Sequence, residues 1–180
     1  QMVEIARNLD TPTNLATHAD WLLVSTGMNS REDISAVVEL LKTAGTSAFG
    51  LFQCTSLYPA PPELLNIAVI RWLEDTYAVP AGFSDHSIGI EASILSIGAG
   101  ARMVEKHFTL DTNRSSFDHA ISVEPRDFKR MVDGIRLAEK MMGDGHKRVY
   151  AEQAETANRM QRYLVAAHDL KAGMVLTVGD

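Results

Sequence analysis

The chain has 180 residues, 46% of them hydrophobic, and a formal net charge of −6. That length allows a single domain with a sizeable core, and the acidic balance argues against nucleic acid as a partner, because phosphate backbones reward basic surfaces. One cysteine, Cys54, excludes an internal disulfide and suits a reducing cytoplasm, and no apolar run approaches the roughly 20 residues that span a bilayer.

Gln1–Asp10 shows no signal-peptide pattern and reads as the middle of a polypeptide. The first strand is expected over Trp21–Thr26, an apolar run closing on hydroxyls. Ser30 and Asp33 then have capping-box spacing. The helix they start carries Ile34, Val37, Val38 and Leu41 at i, i+3, i+4 and i+7, and Gly45 ends it. A second strand is expected over Ala48–Cys54, then an extended loop forced by Pro59, Pro61 and Pro62. Glu63–Tyr77 reads as a helix, Val79–Ser84 as a third strand, Ser87–Ala101 as a helix and Arg102–His107 as a fourth strand. Glu124–Met142 reads as a helix opened by Pro125, with Phe128, Met131, Val132, Ile135 and Ala138 on one face.

Strand and helix alternate four times, which demands an α/β fold with a parallel sheet and right-handed crossovers. Polar residues gather at the strands' carboxyl ends: Ser25, Thr55, Ser56, Ser84, His86, Glu105 and His107. That end carries the active site in barrels and in open sheets alike. The pattern fits half of an eight-stranded barrel or a small open sheet. After Gly143-Asp144-Gly145 the texture changes. Residues 150–162 read as a polar helix or linker, and Tyr163–Thr177 as a strand, a turn and a second strand, the start of a second domain.

Two histidines carry the chemistry. His86 closes Gly82-Phe83-Ser84-Asp85-His86, and His107 closes Met103-Val104-Glu105-Lys106-His107. One strand–helix–strand unit between them brings both imidazoles to neighbouring strand ends. There they can share a divalent metal if their ring nitrogens lie within about 3–5 Å of each other. Taken alone, a strand-end histidine is more often a hydrogen-bonded structural residue. Ser25 and Ser84 have helix capping as their structural alternative. Glu105 and Lys106 alternate to opposite faces, so they do not form a simple surface pair. Cys54 reads as a small buried residue and not a nucleophile. His119 is expected to orient Asp118 or its loop. His18, His146 and His168 are expected at the surface.

Four ordered motifs, Ser25-Thr26-Gly27-Met28, Cys54-Thr55-Ser56-Leu57-Tyr58-Pro59, Gly82-Phe83-Ser84-Asp85-His86 and Glu105-Lys106-His107-Phe108-Thr109-Leu110-Asp111, resemble those of the sialic acid synthase family. That family includes the N-acetylneuraminate, legionaminate and pseudaminate synthases and related spore-coat proteins. The resemblance implies the C-terminal half of a (β/α)8 TIM barrel over residues 1–149, strands five to eight, then a linker at 150–162. Residues 163–180 would be the truncated start of a β-rich antifreeze-like (SAF) domain. The remaining half of the barrel would supply a lysine and an acidic residue, so the fragment alone is expected to be inactive.

The family joins phosphoenolpyruvate to an N-acetylated amino-sugar aldehyde, usually N-acetylmannosamine, giving a nine-carbon 2-keto acid and phosphate. The resemblance implies metal ligands at His86 and His107, with Mn2+ favoured over Mg2+ or Co2+. It implies phosphoenolpyruvate contacts at Ser25, Ser56 and Ser84, and sugar contacts at Tyr58 and Asp118. A metal there acts as Lewis acid on the aldehyde oxygen, and Glu105 and Asp118 orient or deprotonate the attacking water. A cytoplasmic homodimer without nucleic-acid or membrane partners is the implied setting. Two departures stand out: Ser115-Ser116-Phe117 replaces the family's Pro-Gly-Pro before Asp118, and Gln53 replaces a frequent histidine. The competing readings are a 3-deoxy-octulosonate phosphate synthase, which needs a basic pocket for a second phosphate, and an inactive metabolite-binding fragment.

Overall fold

A computed structural model describes residues 21–46, 48–115 and 118–179. The expectations for Gln1–Asp10, His18 and the Ser116–Phe117 part of the loop lie outside the described residues. The chain divides into two units at Gly143/Asp144.

Among the described residues of the first unit four strands alternate with helices: β1 Leu22–Ser25, α1 Arg31–Thr43, β2 Phe49–Cys54, α2 Val69–Tyr77, β3 Ala81–Asp85, α3 Glu91–Gly98, β4 Met103–Lys106 and α4 Pro125–Met142. The strands form one parallel sheet in the order β1-β2-β3-β4. Its outer face is dry. Phe49, Leu51, Ala81 and Phe83 pack against Ile34, Val37, Val38 and Leu41 of α1 and Ile70, Leu73 and Tyr77 of α2. Burying a side chain of this size stabilises by about 1.5–3 kcal/mol, so this layer fixes the sheet.

Helix α1 starts as expected. Ser30 Oγ accepts from Asp33 N–H, and the Asp33 carboxylate accepts from Ser30 N–H. The expected helix over Glu63–Tyr77 is shorter. A 3-10 turn at Pro62–Leu64 comes first, Asn66 takes φ 45°, and α2 begins only at Val69. Strand β2 and its tip cause the break: Thr55 Oγ1 donates to Leu64 O at 2.8 Å and Gln53 Nε2 to Leu65 O at 3.0 Å. Those carbonyls are occupied by side chains, and asparagine tolerates the left-handed turn that follows. Gln53 thus pins the loop that carries Tyr58.

The expected helix over Ser87–Ala101 also contracts, to α3. Both the N–H and the hydroxyl of Ser87 donate to Asp85 Oδ1, and Gly89 takes φ 86°. Helix α4 opens at Pro125 as expected and packs against α3. Met131 is buried with Ile90 and Val123, whereas Phe128 stays half open and stacks edge-on against Phe108. A Cβ on Gly134 would stand 2.5 Å from Ile94 Cδ1, so glycine there lets the two helices approach.

The second unit holds a 3-10 turn at Ala151–Gln153 and α5, Ala154–Met160. The two strands expected over Tyr163–Thr177 are not formed. The segment carries a turn, with Gly173 at φ 85° and Met174 N–H donating to Lys171 O. Leu164, Val165, Val175 and Leu176 are exposed. A strand pair with no covered apolar face is marginal in water, which accounts for the missing ladder. No helix among the described residues is long and apolar enough to cross a membrane.

Candidate active site at the strand ends

The sheet register stacks the inner face into rows. Ser25 aligns with Phe52, Phe52 with Gly82, and Gly82 with Met103. One step toward the carboxyl ends, Cys54 aligns with Ser84 and Ser84 with Glu105. One further step brings His86 and His107 to the same face, as strand alternation requires. From β2 to β4 the lower row is apolar and tight: a Cβ on Gly82 would lie 2.6 Å from Met103 O and 2.7 Å from the Phe52 ring. The rows above carry the thiol, hydroxyl, carboxylate and imidazoles.

His86 is buried and oriented from two sides. Its Nδ1 lies 2.8 Å from Thr55 O, and its ring lies 4.3 Å, centroid to centroid, from that of Tyr58. Its own carbonyl accepts Ala60 N–H, so the 55–60 loop wraps around it. His107 meets His86 edge-on with centroids 5.4 Å apart, and Tyr58 edge-on at 6.1 Å. The two imidazoles therefore share one face, as the motif spacing predicts. The chain after β4 folds back over the strand tip: Val123 N–H donates to His107 O, and Thr109 N–H to Val123 O. That return places Asp118 Oδ2 3.9 Å from His107 Nδ1. His119 bonds to Thr109 Oγ1 at 2.7 Å and so serves the loop.

Ser84 is buried, and its hydroxyl donates to Glu105 Oε1 at 2.6 Å; it caps no helix. Its oxygen lies 3.4 Å from His86 Nε2. Ser84, His86, Glu105, His107, Asp118 and Tyr58 form one cluster. Ser25 sits a row lower on β1. Ser56 belongs to a second group with Gly27 and Cys54, in which Gly27 N–H donates to Cys54 Sγ at 3.1 Å. Burial pushes the Cys54 thiol above its ordinary pKa, against the Gly27 N–H, in keeping with a buried residue and not a nucleophile. Burial first, then the charges of Cys54, Asp118 and Glu105, raises the Tyr58 phenol.

The donor set suits a divalent ion with an open shell. A carbonyl can only accept, so His86 Nδ1 is the donor in its bond to Thr55 O, and Nε2 is the nitrogen turned toward the cluster. The nearby Ser84 hydroxyl has one proton, and Glu105 takes it. Nε2 thus faces the cluster with the ring's other nitrogen tied to an oxygen, the orientation that metal-binding imidazoles adopt. Among the described residues no three His, Cys, Asp or Glu side chains converge tightly enough to hold an ion by themselves. Two imidazoles would leave the remaining positions to water or substrate.

Asp85 and Lys106 escaped the motif reading. They are Cα partners on β3 and β4, next in sequence to the two histidines, and they point to the opposite face. Lys106 Nζ lies 3.2 Å from Asp85 Oδ2, and both side chains are essentially inaccessible. Desolvation lowers the Lys106 pKa although Asp85 opposes it. Two opposite charges at one register on adjacent strands were the available signal.

A parallel sheet with helices on one face and a polar cluster at its carboxyl ends is an α/β scaffold with its candidate site where barrels and open sheets build theirs. The NeuB family model matches residues 6–147. The chain is 35% identical over 161 residues to the N,N'-diacetyllegionaminic acid synthase of Campylobacter jejuni, covering 88% of this chain and 48% of that protein. It is 35% identical over 156 residues to the pseudaminic acid synthase of Campylobacter jejuni strain 81-176, covering 86% of this chain and 45% of that protein. The crystal structure of the N-acetylneuraminic acid (sialic acid) synthetase of Leptospira borgpetersenii, in complex with citrate, superposes with a TM-score of 0.76 at 30% identity. That match covers 88% of this chain and 56% of that one. The chain belongs to the NeuB family, and its parallel sheet forms a half-barrel. It spans about half the length of the curated relatives it matches.

Proposed function

We propose that the full-length protein condenses phosphoenolpyruvate with an N-acetylated amino-sugar aldehyde of the N-acetylmannosamine type. The products are a nine-carbon 2-keto acid and phosphate. The observation that carries this reading is the pair of imidazoles on one face, with His86 anchored through Nδ1 and its Nε2 directed at the cluster. His86 and His107 would hold a divalent metal, Mn2+ first, and that ion supplies Lewis acidity toward the aldehyde oxygen. The chain's own groups do the rest. Tyr58 walls the site beside both imidazoles and, with Asp118, faces the sugar. Ser25, Ser56 and Ser84 supply hydroxyls toward the phosphate. Glu105 and Asp118 take a proton from the water that adds to the carbon bearing phosphate, after which phosphate leaves by C–O cleavage.

The phosphorylated-sugar alternative needs a basic pocket. Lys106, the cation next to His107, is turned to the opposite face and paired with Asp85, which favours an unphosphorylated acceptor.

The test is phosphate release by full-length protein given phosphoenolpyruvate, Mn2+ and N-acetylmannosamine or a 2,4-diacetamido sugar. We expect turnover with one of these, abolished by His86→Ala or His107→Ala. Turnover unchanged in those variants, or none with any of the sugars, would overturn the reading.

A further inference from the structure

On the site side of β3 and β4, Ser84 and His86 are buried but Glu105 is exposed, and the side-chain bond from Ser84 Oγ to Glu105 Oε1 joins the two strands there. The opposite face carries a denser set of bonds. Asp85 accepts from Ser87 N–H at 2.9 Å, Ser87 Oγ at 2.6 Å and Ser93 Oγ at 2.6 Å, and it pairs with Lys106 Nζ. Lys106 Nζ also donates to Ser87 O. One carboxylate thus ties together the end of β3, the turn after it, helix α3 and the end of β4. His86 and His107 are each one residue from that knot.

A buried ion pair is a poor source of net stability, because desolvation offsets its attraction and apolar isosteres often do as well. Its distinct property is geometric. Three of the four bonds to Asp85 lock it to its own turn and to α3, and Lys106 Nζ, bound to both Asp85 and Ser87 O, carries that fixed point across to β4. Metal–ligand distances tolerate only about 0.2 Å.

We propose that the buried Asp85–Lys106 pair is a positioning device that sets the distance and angle between the His86 and His107 rings, and so sets the site's affinity for a divalent cation. The affinity half of this proposal rests on the metal reading above. The ring-positioning half does not.

The test uses full-length protein carrying Asp85→Asn with Lys106→Met, which removes both charges at near-constant volume. Two readouts are taken beside thermal unfolding. The first is Mn2+ binding by calorimetry. The second is the ring-to-ring nuclear Overhauser effect between His86 and His107 in metal-free, histidine-labelled protein. We expect cooperative unfolding to persist, Mn2+ affinity to fall by at least about tenfold, and the ring-to-ring signal to weaken. Mn2+ affinity and ring signal both equal to wild type would overturn the proposal. Wild-type protein that takes up no Mn2+ overturns the metal reading by itself. The ring signal then decides the positioning claim, and its retention in the double variant refutes it. Should the double variant not fold, Ser93→Ala strips one bond from Asp85 without leaving a charge unpaired. A weaker ring signal there supports the claim, and an unchanged one overturns it.

Discussion

Ser84 has one hydroxyl proton, and in this structure it donates that proton to Glu105 Oε1, with the two oxygens 2.6 Å apart. To donate to a phosphate oxygen, Ser84 must release Glu105, so the two roles compete. Replacing Glu105 by glutamine tests that competition. The glutamine amide can donate to Ser84 Oγ, which frees the serine proton, and it removes a negative charge facing an anionic substrate. We therefore expect Glu105→Gln to keep or tighten phosphoenolpyruvate binding while slowing turnover, because the proton acceptor for water is lost. Ser84→Ala should do the reverse. A lost hydrogen bond to a charged group costs about 1.5–3 kcal/mol, roughly 10- to 150-fold in Kd. Its effect on stability should be near 1 kcal/mol, since water replaces the hydroxyl at the exposed Glu105. Calorimetry of phosphoenolpyruvate binding without acceptor sugar, beside thermal unfolding, measures both. If Glu105→Gln loosens phosphoenolpyruvate as much as Ser84→Ala does, Ser84 is not the phosphate donor and the competition argument fails.

Three other outcomes are expected. Tyr58→Phe keeps the ring beside His86 and should raise the sugar KM alone, whereas Tyr58→Ala also removes the ring contact and should lower Mn2+ affinity, measured by steady-state kinetics and calorimetry. Ser30→Ala removes the cap of α1 and should lower stability by about 1 kcal/mol in chemical denaturation without changing turnover. Among the described residues β1 and β4 each pair on one side only, and Trp21 and Leu23 are exposed. Residues 1–180 expressed alone should therefore self-associate through those edges and that face. Light scattering that shows a stable, active monomer would contradict this.

The sequence by itself determined the order of elements, the parallel sheet and the shared face of the imidazoles. Each of these follows from local periodicity: apolar runs at strand length, i, i+3, i+4 and i+7 stripes, and a period of two that puts Ser84, His86, Glu105 and His107 on one side. The Ser30–Asp33 cap was legible for the same reason, because its partners are three residues apart. What tertiary structure decided depends on partners far along the chain. The break before α2 comes from Gln53 and Thr55 capturing the carbonyls of Leu65 and Leu64, twelve and nine residues on. The expected strands over Tyr163–Thr177 are not formed because a strand pair needs a covered apolar face, and Leu164, Val165, Val175 and Leu176 are exposed. The Asp85–Lys106 pair and the proton held between Ser84 and Glu105 arise only where β3 and β4 are laid side by side. Directed bonds between residues about twenty positions apart become legible only once the strand register is known.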